Sequence, residues 1–290
     1  MILVVGGTGR LGRSLVPMLV QDGQRVRVMS RGSSAPAPEA SAAVEHVRGD
    51  LGSARDCERA VAGCRNVVFA ASGFGLRHAG DPRSVDRDGA VRIVEAAMRG
   101  RVQHIIMMSM HSAAPDAPLE ILRMKEAAEE AVRSSGIAWT AIRIGPLLEQ
   151  FLVAMAEPLE KRGAVLVFGS GRAPVTFTTT ADAAAIARRA LLDPGLRGRT
   201  IQWGSETHTF DDLARTILER EGRGRVRRIP DAGLRAMAAR ARPVSPFMQR
   251  MAEAALWMGT GAAQFDPRPA RAEFPDIPVT GLREVFAATS

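Results

Sequence analysis

Residues 4–15 have the sequence VVGGTGRLGRSL, in which three glycines follow an apolar run at every third position. The apolar run predicts a buried β-strand, and the residues behind the glycines have the periodicity of an amphipathic helix. Gly6 permits a tight turn, Gly9 leaves room around the main-chain amides, and Gly12 allows the helix to pack close to the strand. We therefore expect a strand–turn–helix unit whose helix N-terminus can receive an anion.

The first half of the chain repeats this alternation of short apolar runs and helical patterns. Several runs are apolar throughout, as expected for strands that helices cover on both faces. The pattern predicts an α/β fold of the Rossmann type, with a doubly wound parallel sheet. The predicted strands are 2–5, 25–30, 44–48, 66–71, 104–109 and 138–142, and the predicted helices are 11–21, 54–62, 85–99 and 119–134.

The composition is that of a globular protein, with 46% hydrophobic residues in a chain of 290. Because the opening MILVV is the first predicted strand, we expect no signal peptide. No apolar run reaches the ~18 residues of a membrane-spanning helix, so we expect no membrane association. Cys57 and Cys64 are predicted to be reduced core thiols of a cytoplasmic protein. No cluster of cysteine and histidine has metal-ligand spacing, so no metal site is predicted.

The chain is basic, with a net charge of +8, and almost all of its positive charge is arginine. Residues 223–243, RGRVRRIPDAGLRAMAARARP, are locally basic and could bind an acidic partner or a phosphate backbone. They contain no interleaved aromatic residues and match no nucleic-acid-binding module. We interpret them as solvated surface and expect no nucleic-acid partner.

The glycine turn has the strand before it and the helix after it that a dinucleotide pyrophosphate site requires. In such folds the ligand binds at the carboxyl ends of the strands. Asp50 is therefore expected to accept a hydrogen bond from the adenine amine, and the small side chains of 70–72 to lie against a ribose. The residues predicted to contact the cofactor here are Gly6, Thr8, Gly9, Arg10, Leu11, Gly12, Asp50, Leu51, Ala70, Ala71 and Ser72.

The end of the second predicted strand, VRVMSRG at 26–32, bears on the choice of cofactor. A protein selecting NAD usually has an acidic residue there, whereas an arginine suits the 2′-phosphate of NADP. Arg31 takes that position, and Arg10 in the turn is a second candidate. We predict NADP(H) as the cofactor, with NAD(H) as the alternative.

These segments together resemble the atypical, NmrA-like branch of the short-chain dehydrogenase/reductase superfamily. The resemblance covers nearly the whole chain and includes GGTGRLG, VRVMSR, VRGDL, VVFAAS, HIIMMSM and RMKEAAEEAVRSSGIAWTAIRIGP. The chain is similar to isoflavone-reductase-like enzymes and also to photosystem-assembly factors. The resemblance implies a nicotinamide cofactor more firmly than any one reaction.

Short-chain reductases typically use a tyrosine four residues before a lysine. Lys125 matches the lysine, but Ile121 stands four residues before it, and the chain contains no tyrosine. The resemblance to isoflavone-reductase-like enzymes implies Lys125 as acid/base and as a cofactor contact to the ribose; the alternative is ribose binding alone. Ser109 and His111 are further catalytic candidates, and Gly145 is expected to let the nicotinamide amide approach the backbone.

We predict a boundary near the end of the sixth strand, with an NAD(P)-binding domain at 1–145 and a smaller substrate-binding or lid region at 146–290 packed on the same sheet. After this boundary the sequence predicts helices 147–162, 181–192 and 210–221, strands 165–168 and 200–203, and an extended segment 174–178. A Pro- and Arg-rich tail follows them. An apolar lining or plain core is predicted for Phe74, Met107, Phe151, Met155 and Trp203.

Two functions remain open from the sequence. The first is an NADPH-dependent reductase of a small, largely apolar carbonyl, enone or quinone. The second is a non-catalytic NADP(H)-binding sensor or assembly protein, which the missing tyrosine favours. The predicted partner is a small-molecule substrate, and the resemblance allows a monomer or a homodimer.

Overall fold

The computed structural model describes residues 1–32, 42–74, 81–241 and 245–288. They form two compact units. Unit 1 contains Met1–Arg143 and Thr180–Trp203, and unit 2 contains Ile144–Thr179 and Gly204–Ser290. The loop at 72–86, which the sequence suggests could close over a substrate, lies partly outside the described residues. The functional division at residue 145 stays a prediction.

The strands and helices follow one another closely along the described chain. The strands are β1 Ile2–Val5, β2 Val26–Ser30, β3 Val44–Arg48, β4 Asn66–Phe69, β5 His104–Met110, β6 Ala138–Ile144, β7 Ala164–Phe168, β8 Val175–Phe177, β9 Arg199–Trp203, β10 Glu206–His208 and β11 Arg225–Ile229. The helices are α1 Arg10–Gln21, α2 Ala54–Val61, α3 Ala90–Arg99, α4 Glu120–Arg133, α5 Leu148–Arg162, α6 Thr180–Leu192, α7 Phe210–Glu221, α8 Asp231–Arg240, α9 Pro246–Gly259, α10 Arg268–Glu273 and α11 Leu282–Ala288. A π-helix, Arg83–Gly89, leads into α3, and a short 3₁₀ turn, Pro194–Leu196, follows α6.

Unit 1 is built on one sheet, to which seven of the described strands contribute in the order β3-β2-β1-β4-β5-β6-β9. Its centre is parallel: Ile2 of β1 lies opposite Val26 of β2 on one side and Asn66 of β4 on the other. The carboxyl ends of β2, β3 and β4 therefore meet at the same edge of the sheet as the glycine turn. The predicted Rossmann-type α/β fold is confirmed.

Helix α1 buries one face through leucines four residues apart, of which Leu15 and Leu19 are fully buried. It packs against α6. Asp22 at its C-terminus accepts hydrogen bonds from the guanidinium of Arg188 on α6. Hydrogen bonding to Arg188 lowers the pKa of the Asp22 carboxyl group. The segment of the chain that returns to unit 1 after residue 179 thus covers the helix that follows the glycine turn.

The largest differences from the predicted elements lie around residue 85 and after residue 222. The predicted helix 85–99 is two elements, the π-helix and α3. The Pro- and Arg-rich tail was predicted without elements, and it contains β11 and four helices in the described residues. Most positions of β11 are exposed arginines, and α8 buries only Leu234. Hydrophobic periodicity was too weak there to reveal the elements.

Unit 2 contains two small sheets, one pairing β8 with β10 in antiparallel fashion and one pairing β7 with β11 in parallel. Among the described strands β11 has no second neighbour, so its outer edge is open. The basic residues of this strand are exposed, in agreement with a solvated surface. The core of unit 2 includes a cluster of aromatic rings from Phe151, Phe168, Phe177 and Phe210.

Four of the five residues predicted as apolar lining or core are buried. Met107 and Trp203 are buried in unit 1, and Phe151 and Met155 are buried in unit 2. Phe74 is half-buried.

Cys57 and Cys64 are free and buried, as predicted. Burial raises the pKa of the Cys57 thiol to about 11 and also raises that of Cys64. None of the described helices has the length and apolar character needed to cross a bilayer.

Candidate functional site

The turn between β1 and α1 depends on glycines that leave no room for a side chain. Gly6 has φ +84°, and a Cβ on it would lie 2.8 Å from the main-chain nitrogen of Ala71. A Cβ on Gly12 would lie 2.3 Å from the Cα of Gly7. The nearest neighbour of Gly12 is therefore Gly7 in the turn that follows β1. The turn, the first residues of α1 and the segment after β4 lie in direct contact.

Helix α1 begins at Arg10 with Gly9 at the N-cap, and no side chain of the described residues caps it. Its first turn contains no acidic residue. The first amides of a helix have no partner within the helix, and the helix dipole adds partial positive charge there. This end of α1 is therefore suited to an anion such as a pyrophosphate.

A cavity of about 390 Å³ opens at this turn, and all of its lining residues belong to unit 1. Nine of the residues predicted to contact the cofactor line it: Gly6, Thr8, Gly9, Arg31, Asp50, Leu51, Ala70, Ala71 and Ser72. Five others are not part of its described lining: Arg10, Leu11, Gly12, Lys125 and Gly145. The cavity joins the glycine turn to the carboxyl ends of β2, β3 and β4, as the topology requires.

The sequence did not reveal the part of the lining that comes from the π-helix and α3. Ser84, Val85 and Asp88 line the cavity from the π-helix, and Arg92 lines it from α3. Arg92 also donates a hydrogen bond of 3.2 Å to the carbonyl of Leu51. The sequence predicts a helix here, but it does not predict which residues of that helix face the ends of the neighbouring strands.

The loop after β3 holds Asp50 at the rim of the cavity. Its Oδ1 accepts a hydrogen bond of 2.7 Å from the amide of Gly52, and its own amide donates to Asp56 Oδ2 at 3.0 Å. The latter bond lowers the pKa of Asp56. Arg31 also lines the cavity and is exposed directly after β2, the strand that pairs with β3. An acceptor and a cation thus lie on the wall where the adenosine half was predicted.

Lys125 is buried in unit 1, with 5% of its side chain exposed. Its Nζ lies 2.9 Å from Oδ1 of Asp86, whose side chain is fully buried, and donates a bond of 2.9 Å to the carbonyl of Met108. The other carboxylate oxygen of Asp86 accepts a bond of 2.7 Å from the amide of Gly73. The sequence predicted Lys125 but not Asp86 or Gly73, because neither stands at a recognisable spacing from the lysine.

Ser109, a predicted catalytic residue, donates its hydroxyl proton to Glu129 on α4. Both residues are 1% exposed. Glu129 also accepts hydrogen bonds from Arg143 at 2.8 and 2.9 Å and from Arg133 at 3.0 Å. Ser109 therefore belongs to a buried polar network, and its predicted bond to a substrate stays a prediction.

His111, the remaining catalytic candidate, lies in the turn after β5. Its Nδ1 is 3.2 Å from Oε1 of Gln202 on β9. The next residue, Ser112, has φ +64°, and the amide of Ala113 closes the turn with a bond of 3.1 Å to Met110. His111 is half-buried and thus partly open to solvent.

Gly145 lies in unit 2, and its predicted contact with the nicotinamide amide stays a prediction. Its amide donates a hydrogen bond of 2.9 Å to Oγ1 of Thr178. A Cβ at this position would lie 2.0 Å from the carbonyl oxygen of Thr176. Glycine is therefore required here by the approach of β8, and its amide is already used within unit 2.

Comparison with known proteins gives a family match over more than half of the chain. The model of a family described as NAD(P)H-binding matches residues 6–191. An NAD(P)H azoreductase of Xenophilus azovorans is 31% identical over 196 residues, which cover 67% of this chain and 64% of that protein. The aligned part of the chain thus spans less than two thirds of that relative's length.

Solved structures of low identity have the same fold. A triphenylmethane reductase of Citrobacter sp., complexed with NADP(H), is 21% identical with a TM-score of 0.82 and covers 100% of both chains. An NADPH-dependent quinone oxidoreductase of Escherichia coli, complexed with NADPH, is 21% identical with a TM-score of 0.81. That match covers 100% of this chain and 99% of the quinone oxidoreductase.

Proposed function

The chain belongs to the NAD(P)H-binding family, and from that premise we propose that it is an NADPH-dependent oxidoreductase. It transfers hydride to a small, largely apolar carbonyl, enone or quinone compound. The observation that carries this proposal is the cavity at the glycine turn, with Arg31 on its wall. The azoreductase, quinone oxidoreductase and dye reductase names belong to those proteins, and they support an apolar acceptor here.

The residues around the cavity fit the adenosine half of the cofactor. The open amides at the start of α1 would hold the pyrophosphate, and Arg31 would pair with the 2′-phosphate. Asp50 and Leu51 would contact the adenine, and the small residues 70–72 would lie against a ribose. The cavity supports this assignment because glycine and alanine leave main-chain atoms accessible on two of its sides.

Bound NADPH supplies the hydride, and the protein must stabilise the negative charge that develops on the acceptor. Since the chain contains no tyrosine, Lys125 takes this role in the proposal. Its ammonium forms an ion pair with Asp86 and donates a hydrogen bond to the carbonyl of Met108, and these two contacts fix its position. A remaining ammonium proton can be donated to a substrate oxygen. His111 is the second candidate for proton donation.

Replacing Lys125 by methionine tests this role, because methionine keeps the length of the side chain and removes the charge. We expect kcat for NADPH-dependent quinone reduction to fall about 100-fold or more, while NADPH still binds. Stopped-flow absorbance at the NADPH band measures turnover, and tryptophan fluorescence measures binding. Lys161→Met is the matched control, since Lys161 is the other lysine and is exposed on α5. Turnover equal to wild type in Lys125→Met would remove Lys125 from the mechanism.

A non-catalytic NADP(H)-binding sensor or assembly protein is the second candidate. It is favoured by the burial of Lys125 and by its ion pair with Asp86. Tight NADPH binding without oxidation of NADPH by any quinone, enone, ketone or azo dye would support it. In either case we propose a cytoplasmic protein, monomeric or homodimeric, with no nucleic-acid partner.

A further inference from the structure

Asp86 contacts two parts of unit 1: Lys125, which is proposed to act in catalysis, and the segment after β4, which is proposed to bind the cofactor. One carboxylate oxygen lies 2.9 Å from the ammonium of Lys125, and the other accepts the amide of Gly73 at 2.7 Å. A Cβ on Gly73 would lie 2.3 Å from the carbonyl oxygen of Asp81, so the segment after β4 packs closely against the residues just before the π-helix. The same carboxylate therefore fixes a side chain on α4 and the segment after β4.

Two residues of the cavity wall are chain neighbours of the groups that this carboxylate joins. Ser72, the residue before Gly73, lines the cavity, and so does Val85, the residue before Asp86. Asp86 itself is fully buried and is not part of the described lining. It is therefore one residue along the chain from the wall. Its helix is of the π type, which is rare and occurs often at functional sites.

Two buried charges that neutralise each other cannot be moved independently. Separating Asp86 from Lys125 would leave an uncompensated charge in the interior, which is strongly unfavourable. A shift of the wall that moves Gly73 or Val85 must therefore carry the carboxylate with it, and the ammonium must follow. The ion pair is a physical link between the cavity and Lys125.

We propose that Asp86 is a positioning residue that transmits occupation of the adenosine cavity to the ammonium of Lys125. The proposal rests on the proposed function, in which the cavity receives the adenosine half of NADPH. This effect differs from direct contact between the cofactor and Lys125, because binding of the adenosine half alone is expected to move the ammonium without the nicotinamide half.

The lysine content of the chain allows a direct measurement. Lys125 and Lys161 are the only lysines, so protein labelled with ¹³C at lysine Cε gives two Cε resonances, which Lys161→Arg assigns. The probe is adenosine 2′,5′-bisphosphate, which has the adenosine and the 2′-phosphate but no nicotinamide. We expect saturation with the probe to shift the Lys125 resonance by more than its linewidth and to leave that of Lys161 in place.

The matched variant is Asp86→Asn, which keeps the size of the side chain and removes its charge. With probe binding verified by calorimetry, we expect the shift of Lys125 to be lost in this variant. An unmoved Lys125 resonance in saturated wild-type protein would overturn the proposal, as would an unchanged shift in Asp86→Asn. Failure of the probe to bind would also overturn it. If Asp86→Asn does not fold, the wild-type titration alone decides.

Kinetics give a second readout that separates positioning from general stability. In Asp86→Asn we expect kcat to fall about tenfold with the KM for quinone changed less than about threefold. Asp86→Glu, which restores the charge, should recover part of kcat. A loss of thermal stability with kcat unchanged would show a structural role only. Turnover and NADPH affinity of the wild-type protein test the proposed function separately, so either proposal can fail without the other.

Discussion

Arg31 is the residue on which the choice of cofactor depends. It is exposed at the carboxyl end of β2 and lies on the cavity wall. A guanidinium there can pair with a 2′-phosphate that NADH lacks. For Arg31→Leu we expect the Kd for NADPH to rise about tenfold or more and the Kd for NADH to change less than about threefold.

The control is Arg25→Leu, an exposed arginine directly before β2 and therefore at the other end of the same strand. Fluorescence titration of both variants with both coenzymes provides the measurement. Equal weakening of NADPH and NADH in Arg31→Leu would contradict a specific phosphate contact.

His104 on β5 makes the stability of the fold depend on pH. Burial, with a smaller contribution from the charge of Arg197, lowers the pKa of His104 from 6.5 to about 4. Its Nε2 lies 3.0 Å from Oγ1 of Thr140, which donates its own proton to the carbonyl of Leu196. We therefore assign the neutral ring with the proton on Nε2.

As the pH falls, His104 of the unfolded chain takes up a proton at a higher pH than His104 of the folded protein. The free energy of unfolding therefore decreases as the pH falls from 6.5 toward 4. Between pH 7 and pH 5 we expect the free energy of unfolding to fall by about 2 kcal/mol through this group. Urea unfolding of His104→Gln should show a correspondingly smaller dependence on pH over that interval. His46→Gln, at an exposed position of β3, should retain the wild-type dependence. A wild-type slope in His104→Gln would contradict the assignment.

At the scale of residues, the sequence predicted the groups that follow a recognisable pattern. Arg31 and Asp50 could be predicted because each follows a strand at a known edge of the sheet. Asp86 could not, since its partners are an amide and a lysine brought near only by the π-helix and α4. For Gly145 the close approach of β8 could not be predicted, because it depends on tertiary packing.

At the scale of elements, the contact between α1 and the glycine turn is the one most sensitive to added volume. For Gly12→Ala we expect a loss of about 1–3 kcal/mol in the free energy of unfolding, because the new Cβ would lie 2.3 Å from Gly7. NADPH affinity should fall as well, since the turn must shift. Gly259→Ala, at the end of α9 with no atom near its Cβ, is the control for a neutral exchange. Unchanged stability of Gly12→Ala would contradict this close packing.

The elements that the sequence predicted well are those with strong periodicity and clear ends. Strand β1, strand β3 and helix α7 have the predicted bounds. Helix α7 begins with a capping box between Thr209 and Asp212 and ends at Gly222 in the left-handed region. The π-helix could not be predicted, because its hydrophobic pattern continues into α3 without a break.

At the scale of the whole molecule, unit 1 is discontinuous in sequence. Its sheet ends with β9 and its helix α1 is covered by α6, both from Thr180–Trp203. A fragment of residues 1–145 would expose the apolar face of α1 and the edge of β6. We expect such a fragment to unfold without a cooperative transition in urea, monitored by far-ultraviolet circular dichroism. A sharp transition close to that of the full chain would contradict this expectation.

The predicted NAD(P)-binding family is confirmed by the family match, and the predicted fold is confirmed by the solved structures. Sequence patterns were sufficient to predict the family and the fold, because the glycine turn, the strand spacing and the segment around Lys125 can each be recognised within a short stretch of sequence. The return of residues 180–203 to the first unit could not be predicted from them. Helix α6 has an ordinary apolar pattern that would suit any neighbouring surface.

The open edge of β11 has a consequence for how copies of this protein meet. An unpaired strand edge is a template for another strand. The exposed Arg225 and Arg227 give this strand positive charge, whereas Arg228 is paired with Asp211. Two molecules approaching edge to edge would repel each other at low ionic strength. Salt shortens the range of that repulsion. Strand-to-strand aggregation should therefore increase at high ionic strength and decrease when the ionic strength is lowered.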